Sequence, residues 1–464
     1  MYNQWRDCQE WQKQGLPLST TNNETAKLYD AVLCQYVGWY DEDAVGGIEA
    51  SAKKLVESDP NFVLGHVLVN GLDVMGTGRS IYLDAEFKTD IDNIVKLAEN
   101  SNVSSREKLH AEAIKLWAYG DITKAQDKWE EVLVQYPTDM LALKFAHDSY
   151  FYMGYSAQIR DSIARVMPHW KKDTPLYGYL MGMHAFGLVE TNLYDQAEKE
   201  ARLGLDLNKN DAWSTHSLAH VFEMMGRQDE GTSFMSSTKD NWTKCGMLAC
   251  HNYWHWALYL LEKGEQSAAL EIFDSEVGQR VKSGALLDIV DSCSLLYRME
   301  MEGVNVGERW KDVYEICKPH IGEHILCFND IHLLMSTLGS KQKEEANRMM
   351  ESIHTFINEK TGTQRQLAQE VGAVICNAFQ AYDSGNFAEA VELFLPIRYQ
   401  VWKIGGSNAQ RDLFNLFLIN AALKSPEKKH HQLARSLLIE RKALKECAPM
   451  TDRLIGRAMA LHVD

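Results

Sequence analysis

Apolar residues return along this chain at helical intervals, and small residues interrupt them at nearly regular distances. Residues 26–38 and 44–57 each carry an apolar face of 3.6-residue period, closed by Asp59-Pro60, and the spacing predicts a first helical pair. A second pair is predicted over 62–76 and 86–100, with Gly76-Thr77-Gly78 as its turn. Ahead of both, residues 1–25 predict a short helix and an extended lead-in, broken at Gly15-Leu16-Pro17. From Ser105 the pattern tightens. Residues 107–119 are helical in period with Ser105 as the expected N-cap, and Gly120-Asp121 turns the chain. Ala125, Trp129, Val132 and Leu133 then line one face of the partner helix before Pro137.

The same order recurs. Its turn residues are Gly120, Gly154, Asn192, Gly226, Gly264, Gly303, Gly339 and Gly385, at intervals of 34, 38, 34, 38, 39, 36 and 46 residues. A period in the mid-thirties marks a helical solenoid, in which each unit buries its apolar face only against its neighbours. Residues 408–464 remain helical but lose the period, so they are expected to cap the array. Ser407-Asn408-Ala409-Gln410 has the spacing of a capping box opening that region. The expected organisation is one continuous domain, a repeat array over 1–407 with a helical cap over 408–464.

Composition narrows the function classes. Net charge is −16, which argues against the basic face that nucleic-acid binding requires, so no nucleic-acid partner is expected. No apolar run reaches the roughly 18 residues of a membrane helix, and no membrane partner is expected. The nine cysteines are scattered, never paired as CxxC, and no signal peptide is evident at the start; together these predict a reducing, cytoplasmic location. Neither a phosphate-binding glycine loop nor a nucleophile elbow or Rossmann fingerprint occurs.

Leu116-Trp117-Ala118-Tyr119-Gly120-Asp121, followed by Ala125, Trp129, Val132, Leu133 and Pro137, resembles the later part of a tetratricopeptide repeat. Ala378, Tyr382, Gly385, Phe387, Ala390 and Phe394 do the same, as do Ala257, Leu261, Gly264, Ala269 and Phe273. These degenerate repeats are joined by Asp59-Pro60-Asn61-Phe62, the His251-Asn252-Tyr253-Trp254-His255 segment and the stretch from Gly405 to Asp412. In combination they resemble the tetratricopeptide repeat protein 38 family over essentially the whole length. The resemblance implies an all-α right-handed superhelix of helical hairpins and binding on its concave surface. Two departures stand out, Ile159 and Gly231, each at a position where the repeat's second helix expects alanine.

The chemistry concentrates between residues 213 and 273. His216 and His220 are four apart, as are His251 and His255, which places each pair on one helix face, and Glu223 extends the first stripe. In such a repeat the first helix of each pair faces the groove. The expected groove residues are therefore His110, Asp148, Trp213, His216, His220, Glu223, His251, Trp254 and His255. A chaperone-type carboxylate clamp is not expected, because the comparable positions carry His110, Lys144, Gly182, His216 and Trp254.

Three readings stay open. In the first, the chain is a non-catalytic scaffold holding a peptide or small molecule in this histidine- and aromatic-lined groove, with no cofactor. In the second, His216, His220, His251 and His255 hold a divalent transition metal. The third makes it a hydrolase-like enzyme using His216, His220, Glu223 and His255 as acid and base. Against a zincin-type site, neither histidine pair encloses the glutamate that motif needs.

Overall fold

The computed structural model describes residues 4–461, apart from the side chain of Met247. All regular elements among them are helices, and successive helices pair into hairpins. The fold class is all-α helical repeat. No helix among the described residues is long and apolar enough to cross a membrane.

The chain forms two compact units. One holds residues up to Ser217 together with Asp240–Ala249 and Gly362–Gln364. The other holds Leu218–Lys239, Cys250–Thr361 and Arg365 onward.

The first unit contains the hairpins Asn23–Gly38 with Gly47–Ser58, Val63–Gly76 with Ala85–Ala98, Ser105–Ala118 with Ile122–Gln135, Met140–Tyr152 with Ser156–Val166, and Tyr179–Glu190 with Tyr194–Leu207. The N-cap expected at Ser105 falls one residue earlier. The Ser104 hydroxyl accepts from the Glu107 amide while the Glu107 carboxylate takes the Ser104 amide, so the closed box selects Ser104. Trp129 is fully buried here, 5.6 Å from the Phe145 ring. Gly187 lets two helices touch, because a Cβ on it would lie 2.4 Å from the Arg160 Cα.

The second unit pairs Leu286–Met301 with Arg309–Cys317, Cys327–Gly339 with Lys343–Glu359, and Ala373–Asp383 with Phe387–Phe394. Asn408–Lys424, Lys428–Leu444 and Pro449–Met459 follow, and the capping box of Ser407 with Gln410 is formed as the spacing predicts. Gly231, a departure from the repeat consensus, has a local cause. A Cβ there would lie 2.7 Å from the Tyr259 ring, and Tyr259 uses that space to donate its hydroxyl to the Ala219 carbonyl at 2.6 Å.

Seven of the eight predicted turn residues adopt the left-handed backbone that closes a helix. Gly339 does not. It remains inside its helix, where a Cβ would come within 2.3 Å of Trp310, and Lys341 takes the left-handed position with φ 63°. Close packing of an indole, not the turn, requires a glycine at 339.

Candidate functional site

Within the second unit, three of the expected histidines converge. His220 lies on the helix Ala212–Met224, and His251 and His255 one turn apart on Gly246–Lys263. The ring centroids of His220 and His255 are 4.2 Å apart, those of His251 and His255 4.8 Å, and those of His220 and His251 6.2 Å. Each offers a ring nitrogen within 4.8 Å of the others. The imidazoles of His220 and His255 are wholly buried, and that of His251 is 3% exposed.

Two carboxylates fix the orientation of this cluster. His251 donates Nδ1–H to Asp291 at 2.8 Å, and His255 donates Nδ1–H to Glu223, also at 2.8 Å. An Nδ1–H given to a carboxylate in this way orients the ring. Trp254 stacks on His251 with its ring 12° from parallel, limiting rotation further. Asp291 sits on the helix Leu286–Met301, outside the stretch the sequence singles out. Its only signal is an acid in a helix of mainly apolar residues, which also carries Asp288, Ser294 and Arg298 along the same face.

Electrostatics favours neutral imidazole. Burial, and after it the neighbouring His255 and His251, holds His220 well below the ordinary histidine value. Burial likewise depresses His255, followed by His251 and Arg298. Burial pushes Glu223 up to about 7 despite the opposing charges of Lys445 and Arg298, and it also raises Asp291 against the pull of His251. Beyond Glu223 lies a water-sized cavity of about 20 Å³, bordered by Arg298, Asp412, Arg441 and Lys445. There Arg441 forks onto both oxygens of Asp412. Cys250, beside His251 in sequence, is a buried thiol raised well above its usual value by desolvation.

The other expected residues, His216 among them, are buried too. His216 occurs one turn before His220 on the same helix and packs on Phe186 at 5.1 Å and Trp213 at 6.2 Å. His110 is buried against Asp139 at 3.1 Å, which Arg106 also pairs at 2.7 Å. Trp213 donates its indole N–H to the Val37 carbonyl. Of the nine expected groove residues, eight are buried and Glu223 is partly so. Their polar atoms meet side chains and carbonyls of the fold more than solvent, which an apolar helix face with embedded histidines does not announce.

Asp148 borders a cleft of ligand size. In the first unit about 520 Å³ lies between Tyr36, Trp39, Tyr40, Leu72, Met75 and Tyr152, with Asp148 at its edge. The Tyr36 hydroxyl donates to Asp148 at 2.6 Å, and the buried Lys144 ammonium pairs with the same carboxylate. Lys144 lies over the rings of Tyr36, Trp213 and Trp39, at 4.5, 4.7 and 4.9 Å from their centroids.

No family model matches the chain. Among solved structures it is similar to a human IFIT1 dimer with m7Gppp-AAAA, at 13% identity and a TM-score of 0.40, covering 95% of each chain. It is also similar to the APC/C hetero-tetramer Cut9-Hcn1, at 12% identity and a TM-score of 0.39, covering 94% of this chain and 84% of that one.

Proposed function

We propose that this helical-repeat chain is a binding scaffold that holds a divalent transition metal, zinc by preference, on His220, His251 and His255. The observation that carries the reading is the carboxylate at Nδ1 of both His251 and His255, the arrangement that orients imidazole ligands and raises their basicity. Neutral imidazole suits zinc, and three histidines leave the fourth position of a tetrahedral ion open. The nitrogens lie within 4.8 Å of one another, and a tetrahedral shell brings them to on the order of 3.3 Å, so the rings close by up to about 1.5 Å on loading.

Elemental mass spectrometry of protein purified without a histidine tag tests this. One equivalent of metal is expected, lost on His251→Ala/His255→Ala. A wild-type chain that takes up no zinc after reconstitution overturns the reading.

A second binding role is supported by the cleft beside Tyr36, Trp39 and Asp148, whose volume and aromatic walls suit a small molecule or an extended peptide side chain. The resemblance of its repeat motifs supports membership of the tetratricopeptide repeat protein 38 family as part of this proposal. The free thiols of Cys293 and Cys317, 3.9 Å apart, accord with a cytoplasmic location.

A further inference from the structure

Away from the histidine cluster, a short loop of the second unit brings a carboxylate, an imidazole and a hydroxyl into one hydrogen-bonded line. His324, left-handed at φ 50°, follows the loop after Cys317. Its Nδ1 lies 3.1 and 3.2 Å from the two oxygens of Asp330, on the first turn of Cys327–Gly339. Its Nε2 lies 2.8 Å from Ser352 Oγ, on the facing helix Lys343–Glu359. His324 and Asp330 are buried, whereas Ser352 is partly open to solvent.

We propose that Asp330, His324 and Ser352 are a nucleophilic relay in which Ser352 takes the acyl group of a neutral carboxylic ester. A base within hydrogen-bond reach of a hydroxyl, itself oriented by a third group, is the pattern that activates serine. Phe356 packs on the imidazole at 5.2 Å and holds it in place. Gly322 lies beside the hydroxyl, where a Cβ would be 3.8 Å from Ser352 Oγ. Burial works against a charged His324, but Asp330 outweighs it and stabilises the imidazolium that forms as the proton arrives. Glu323 and Asp330 flank the line, and their charges disfavour an anionic ester.

In the first half-reaction Ser352 Oγ bonds to the carbonyl carbon while its proton passes to His324 Nε2. The ester C–O bond then breaks, and the departing alkoxide takes that proton to leave as alcohol. Water attacks the acyl-serine in the second half, giving one proton to Nε2. Release of the carboxylic acid returns it to Ser352.

The test uses untagged, chelator-treated protein, so that metal-dependent hydrolysis does not contribute. It is exposed separately to a fluorophosphonate and to p-nitrophenyl acetate, and adducts are mapped by peptide mass spectrometry. An adduct on Ser352 is expected, absent from Ser352→Ala and formed at least about 100-fold more slowly in His324→Gln. Asp330→Asn keeps the shape of the carboxylate and should slow the same step. Ser352→Ala, on an accessible helix face, should melt like wild type. No adduct at Ser352 in the wild-type chain, or an undiminished rate in folded His324→Gln or Asp330→Asn, overturns the proposal.

Discussion

His251 and Asp291 meet in a buried pair, Nδ1 lying 2.9 and 2.8 Å from the two carboxylate oxygens. They come from different helices forty residues apart. Asp291→Asn should leave the imidazole in place but weaken its grip on a bound ion. A loss of about 10–100-fold in zinc affinity is expected, measured by competition with a chromophoric chelator. Unchanged affinity would remove Asp291 from the site.

Asp211 is buried at the start of the helix that carries His216 and His220, and accepts hydrogen bonds from the Ser214 hydroxyl and the Trp213 amide. Burial outweighs those bonds and pushes its carboxyl up to about 7. The folded chain therefore binds this proton more tightly than the unfolded one. Stability should fall as pH rises from the unfolded value near 4 through about 7, then level off. Asp211→Asn, which retains the acceptor oxygen, should flatten that slope and add on the order of 1–3 kcal/mol at pH 8. Chemical denaturation at pH 5 and pH 8 measures both.

The corrected cap gives a paired comparison. Ser104→Ala should cost about 0.5–2 kcal/mol, through loss of the hydroxyl that receives the Glu107 amide. Ser105→Ala, inside the first turn and exposed, should change stability by less than about 0.5 kcal/mol. Equal losses from the two would show that no box operates.

Gly231→Ala should destabilise by about 1–3 kcal/mol, since the new methyl meets the Tyr259 ring at 2.7 Å. Combining it with Tyr259→Leu should relieve part of that loss. Thermal melting of the single and double variants tests this coupling.

The hairpins were legible because their signals are local. Apolar spacing and left-handed turn residues mark Gly120, Gly154, Asn192, Gly226, Gly264, Gly303 and Gly385 without knowledge of any neighbour. Gly339 looked the same in sequence, yet its constraint comes from Trp310, which period alone does not bring into view. The histidine stripes were equally visible, being i and i+4 relations within single helices. What periodicity could not supply was the interior setting of those stripes, or the arrival of Asp291 beside His251. The line from Asp330 through His324 to Ser352 was hidden too, because two of its three elements meet only through tertiary packing.

The depth of the histidine cluster bears on time as well as on affinity. With His220 and His255 wholly buried, an ion held there on the proposed reading is expected to exchange slowly. Its exchange should follow local opening around these histidines, however strong the competing chelator. Isotope exchange at the site would then run as a clock for that opening, its rate independent of chelator concentration once trapping is fast.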